Sequence, residues 1–130
     1  MDNYVITIAR EYGSGGKTIG KMLADHLGIP CYDMEILRMA SDDSGINEQL
    51  FAKSDERLKR PIFLKPSRSV YTDELIPPGS KNFVSEENLF NYQAKIIKML
   101  ADKESCVIIG RCADFVLKDR PNVLKVYVHA

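Results

Sequence analysis

Apolar residues along this chain fall into two kinds of run, short unbroken ones and longer periodic ones. Tyr4-Val-Ile-Thr-Ile-Ala9 is short, β-branched and almost continuously apolar, the pattern of a strand buried on both faces in a parallel sheet. A glycine cluster ends it at Gly13. From Thr18 the residues Ile19, Met22, Leu23, His26 and Leu27 recur at three and four positions, which predicts an amphipathic helix stopped by Gly28. Ile29 to Tyr32 is a second short strand ending at Asp33, and Glu35 to Ala40 opens a second helix. Ile46 to Leu58 has helical spacing too. Ser85 is suited to cap a long helix, with Glu86 and Glu87 complementing the dipole in its first turn. Leu89, Tyr92, Ile96, Met99 and Leu100 form its stripe, and it ends near Lys103. Cys106 to Ile109 is a third buried strand, Gly110-Arg111 a turn, Ala113 to Lys118 a short helix and Val123 to Val128 a fourth strand.

Strands alternating with helices predict an α/β fold, a parallel β-sheet with helices on both faces, in a single domain over residues 1–130. A polar, weakly periodic stretch from Ser41 to Ser85, punctuated by Pro61, Pro66, Pro77 and Pro78, interrupts the alternation. Connections of that length are usually mobile or functional.

Composition narrows the partners. A hydrophobic content of 45% over 130 residues is enough for one core without disulfide or metal staples. Basic and acidic residues number 18 each, so no net field steers the chain toward nucleic acid or an anionic membrane, and neither is expected as a partner. No apolar run approaches the roughly 20 residues that span a bilayer, and Met-Asp-Asn-Tyr lacks the basic and apolar regions of a signal peptide. Cys31, Cys106 and Cys112 are odd in number and have no Cys-x-x-Cys spacing, which fits free thiols in a reducing cytoplasm.

Candidate chemistry sits where the first strand gives way to the first helix, in Arg10-Glu-Tyr-Gly13-Ser14-Gly15-Gly16-Lys17-Thr18. Glycines allow positive φ and bring consecutive backbone N–H groups close to phosphate oxygens, and the helix N-terminus adds partial positive charge. Two registers are open. Reading Gly16-Lys17-Thr18 as the end of Gly-x-x-x-x-Gly-Lys-Ser/Thr puts Glu11 at the first glycine, whereas reading Gly13-Ser14-Gly15 as a Gly-x-Gly puts Gly16 at the usual lysine position.

The stretch Ile6-Thr-Ile-Ala-Arg-Glu-Tyr-Gly-Ser-Gly-Gly-Lys17, with Leu27-Gly-Ile-Pro-Cys-Tyr-Asp33 and Val107-Ile-Ile-Gly-Arg-Cys-Ala-Asp114 downstream, resembles the cytidylate kinase-like family of P-loop kinases. That resemblance implies ATP-dependent phosphoryl transfer to a nucleoside monophosphate, CMP- or dCMP-like, or to a similar small acceptor. It implies that Gly13, Ser14, Gly15, Gly16, Lys17 and Thr18 hold the ATP phosphates, with Thr18 in the Mg2+ shell and Lys17 and Arg111 catalytic. Asp33, Arg38, Arg111 and Asp114 become the acceptor-side residues, and the 41–85 segment an acceptor-side insertion that closes over the site. Met34 stands where ordinary cytidylate kinases carry a serine, and Cys112 where they carry an aspartate. For Arg38 the competing role is a solvated surface group; for Arg111 it is a salt bridge to an acid such as Asp33 or Asp114. The third strand ends Ile-Ile-Gly without the acid that often closes a Walker B strand. The resemblance also implies an arginine-bearing lid, a fifth strand and a terminal helix beyond the fourth strand, and the sequence stops at Ala130 before them. These departures leave two alternatives, a nucleotide-binding regulatory module with little or no catalysis and a P-loop kinase for another small molecule.

Overall fold

Val5 to Arg10 extends as strand β1, its β-branched residues suited to a pleated surface buried on both sides. The computed structural model describes residues 3–10, 15–58, 75 and 85–129. Along them follow helix α1 (Gly16–Leu27), strand β2 (Cys31–Tyr32), helices α2 (Glu35–Ser44), α3 (Glu48–Leu58) and α4 (Glu86–Lys103), strand β3 (Cys106–Ile109), helix α5 (Ala113–Val116) and strand β4 (Val123–Val128). The four strands form one sheet in the order β2-β3-β1-β4, and every neighbouring pair is parallel. The expected α/β architecture with a parallel sheet is therefore the observed one.

Two compact units share the chain: Met1–Glu35 with Ile97–Ala130, and Ile36–Ile96. In the first, Ile6, Ile8, Val107 and Ile109 line one face of the sheet and close around Ala24 of α1, joined by Leu23, Ile29, Cys31, Val126 and Val128. The alternate residues Val5, Thr7, Cys106 and Ile108 are buried as well, which explains why β1 and β3 read as unbroken apolar runs.

The packed face of α1 differs from the expected one. Ile19, Met22 and Leu27 are exposed, at 45, 66 and 41%, and the residues turned inward are Gly16, Gly20 and Ala24. Small residues at i, i+4 and i+8 let the helix axis approach the branched side chains of the sheet. A Cβ on Gly20 would lie 2.8 Å from Ile109 Cδ1 and 3.0 Å from Ile8 Cδ1, so the approach depends on glycine. At its far end Gly28 takes φ 68° and closes the helix, as its position after the last periodic residue predicts.

In the second unit the expected helices recur with shifted ends. Ile46 belongs to the turn before α3, because Ser41 Oγ donates to its carbonyl at 2.6 Å and Asn47 Oδ1 accepts from the Gln49 N–H at 2.8 Å as the helix cap. Ser85 Oγ accepts from the Asn88 N–H at 3.2 Å, the expected cap of α4. Ile36, Leu37, Ala40, Phe51, Leu89 and Tyr92 are buried in this unit. Of the polar stretch 41–85, residues 59–74 and 76–84 lie outside the described residues.

Candidate functional site

Three parallel strands deliver the candidate residues to one edge of the sheet. Lys17 stands in the first turn of α1, just after the β1 loop; Asp33 follows directly on β2; Arg111 comes two residues after β3. In open α/β sheets ligands collect at the carboxyl ends of the strands, because loops and helix N-termini converge there. Gly13 and Ser14 lie outside the described residues.

Gly15 adopts φ 81° and precedes α1 without any side-chain cap. The first bond inside the helix runs from the Ile19 N–H to the Gly15 carbonyl at 3.0 Å. N–H groups that open a helix have no acceptor within it and carry partial positive charge. The first turn holds no acid, and its charged side chain is the cation Lys17, with its side chain 51% exposed. A lysine at the positive end of a helix is electrostatically unfavourable by itself, and negative charge placed there offsets both the lysine and the helix dipole. Thr18 is exposed in the same turn.

Asp33 joins the two cations. Its side chain is 7% exposed; Oδ1 accepts from Arg111 Nη2 at 3.1 Å, and Oδ2 lies 3.6 Å from Lys17 Nζ. The Asp33 N–H donates to Glu35 Oε1 at 3.1 Å, which fixes the chain as it enters α2. Arg111 is the buried member, with a side chain 4% exposed. The same Nη2 also lies in contact with Met34 Sδ. The structure thus forms the Arg111–Asp33 salt bridge and adds Lys17 to it.

Backbone conformation turns Arg111 inward. Gly110, Arg111 and Cys112 all have positive φ, at 67, 59 and 56°. For the two non-glycine residues this region costs about 1–2 kcal/mol each, and such strain persists where surrounding contacts over-determine it. Here the Gly110 N–H is held by the Ile8 carbonyl at 2.8 Å, and the Cys112 carbonyl accepts from Val116 at 2.9 Å as α5 begins. Glycine 110 signals this turn in the sequence; nothing there signals the two residues that follow it.

Arg38 is exposed on α2, within the second unit, and Asp114 is half-buried in the first turn of α5. Sequence reasoning missed a further contact behind the site, where the Tyr32 hydroxyl donates to Glu104. Burial, and then this bond to a carboxylate, push the Tyr32 phenol well above its usual range.

Comparison with known proteins bears on the family and the fold. No curated protein matches the chain. Among solved structures, the crystal structure of an uncharacterized protein from Eubacterium ventriosum is similar, with 26% sequence identity and a TM-score of 0.55 over 98% of this chain and 53% of that one. The chain therefore spans about half the length of that relative. A sequence profile described as the cytidylate kinase-like family matches residues 5–130, from the first buried strand through the fourth. With that match over nearly its whole length, the chain belongs to the cytidylate kinase-like family.

Proposed function

We propose that this chain transfers the terminal phosphoryl group of ATP to a nucleoside monophosphate or a similar small acceptor. Membership of the cytidylate kinase-like family points to kinase-type chemistry on nucleotides. The observation that carries the reading is the convergence of Lys17, Asp33 and Arg111, from three separate elements, at the carboxyl edge of the sheet. Phosphoryl transfer is catalysed mainly by positioning and by positive charge around the transferred group, and this edge supplies both.

In this reading the loop from Gly13 to Thr18 is a P-loop whose backbone N–H groups and Lys17 hold the ATP phosphates. The acid-free start of α1, with Lys17 in its first turn, fits an anion of that kind. ATP with Mg2+ supplies the transferable group and a cation that offsets its charge, and the Thr18 hydroxyl is the residue of this loop suited to the Mg2+ shell. Arg111 takes the acceptor phosphate, for which the planar guanidinium is well shaped. Asp33 keeps Arg111 oriented and holds Lys17 near the loop until phosphate oxygens compete for them. Asp114 serves the acceptor sugar.

One observation favours the second reading, a nucleotide-binding module with little catalysis: β3 ends on Ile109, fully buried, and no carboxylate closes that strand. Product analysis separates the two. Incubation with ATP, Mg2+ and a panel of ribo- and deoxyribonucleoside monophosphates is expected to give ADP and one diphosphate in preference to the others. ATP binding without turnover or binding of any acceptor would favour the module.

A further inference from the structure

Arg111 Nη2 is shared between a buried carboxylate and an exposed thioether. Asp33 Oδ1 holds it at 3.1 Å, Met34 Sδ lies in contact with it, and Met34 is 48% exposed. A thioether is a weak acceptor, so in the reduced protein the carboxylate dominates the orientation of the guanidinium. Oxidation changes that balance, because methionine sulfoxide is polar and its oxygen accepts strongly from a cation. We propose that Met34 is an oxidation site through which peroxide controls how readily Arg111 reaches an anionic ligand; the consequence for the acceptor rests on the role given to Arg111 above.

The chemistry closes with hydrogen peroxide as oxidant. The Met34 sulfur lone pair attacks one peroxide oxygen, the S–O bond forms as the O–O bond breaks, and hydroxide departs. The proton on the transferred oxygen passes to that hydroxide, leaving the sulfoxide and water. Sulfur loses two electrons and peroxide gains them. Met22 and Met99 are exposed as well, at 66 and 44%, and are equally open to the reagent. What sets Met34 apart among the described residues is the buried cation that its sulfur touches. Burial raises the Cys31 thiol and pushes the Cys106 thiol up to about 12, which keeps both from the reactive thiolate form.

Met22→Leu/Met99→Leu protein removes the other two exposed methionines among the described residues. It is treated with dilute hydrogen peroxide and then dithiothreitol, which returns reversibly oxidised thiols, and peptide mass spectrometry locates the added oxygen. Two quantities are read: the 15N–1H guanidinium signals of Arg111, and the calorimetric affinity for cytidine monophosphate as the probe. Oxidation is expected to shift the Arg111 signals and weaken probe binding about five- to tenfold, the effect of one strengthened hydrogen bond to a charged group. Methionine sulfoxide reductases of both stereospecificities should reverse both changes. Met34→Leu should not respond to peroxide, and Met34→Gln, whose amide oxygen stands in for the sulfoxide, should bind the probe weakly without it. Unchanged Arg111 signals after verified oxidation, or a loss that persists in Met34→Leu, would overturn the proposal. If reduced protein binds no monophosphate, the acceptor role of Arg111 fails, and the guanidinium spectrum still decides the role of Met34.

Discussion

Lys17 and Arg111 meet the same carboxylate from opposite surroundings, and that difference separates what each does. Lys17 is half-exposed, and its 3.6 Å approach to Asp33 is screened by water, so the pair adds little to stability. Arg111 is buried, and its removal leaves Asp33 as an inward charge short of its main partner. Arg111→Met is therefore expected to lower unfolding stability by about 3–5 kcal/mol, and Lys17→Ala by under about 1 kcal/mol, measured by urea unfolding. Arg111→Lys should recover part of the stability but bind phosphate less well, since an ammonium lacks the planar fork. Much of this site was legible in the sequence. Each of the three residues follows the end of a buried run, and strand ends in a parallel sheet share an edge. Two things were not legible. A methionine gives no sign that its sulfur will meet a guanidinium, and the left-handed conformations of Arg111 and Cys112 belong to residue types that rarely adopt them.

At the scale of elements, α1 shows where periodicity stops being informative. Spacing identified the helix and Gly28 its end, yet Ile19, Met22 and Leu27 face outward and the glycine-rich stripe faces in. A period of 3.6 residues defines faces without saying which one a sheet will take. The branched side chains of Ile8 and Ile109 favour the face that lets α1 come close, and so help set the distance between that helix and the strands. Gly20→Ala gains about 1 kcal/mol of helix propensity and loses about 1–3 kcal/mol to overpacking, so a net loss of about 1 kcal/mol is expected. Gly20→Val should lose considerably more. Ile109→Val in the Gly20→Ala background removes the atom nearest the new methyl, and a double-mutant cycle should show favourable coupling; strict additivity would mean that α1 does not rest on Ile109.

For the molecule as a whole, the parallel sheet order was legible as a class because buried strands alternate with helices, whereas the division into two units depends on contacts between residues far apart in sequence. No helix among the described residues is long and apolar enough to cross a membrane. Stability should fall in alkali for a specific reason. Burial first, and then the Glu104 charge, raise the Cys106 thiol from 9.0 to about 12, and the Tyr32 phenol is raised above its ordinary 10.0. In the unfolded chain both groups release their protons at ordinary values, while the folded chain still holds them. Their contribution is thus fully present below pH 9 and declines as pH rises through the folded values. Urea midpoints measured from pH 8 upward should show that decline, and Cys106→Val together with Tyr32→Phe should flatten it. Calorimetric titration of ATP with Mg2+ into wild-type and Lys17→Ala protein tests most directly whether the start of α1 binds phosphate. Wild type is expected to bind, and the variant to bind at least about tenfold more weakly, a loss of about 1.4 kcal/mol or more in binding that exceeds its small loss of unfolding stability. Equal affinity in the two proteins would contradict the assignment of Lys17 to the nucleotide phosphates.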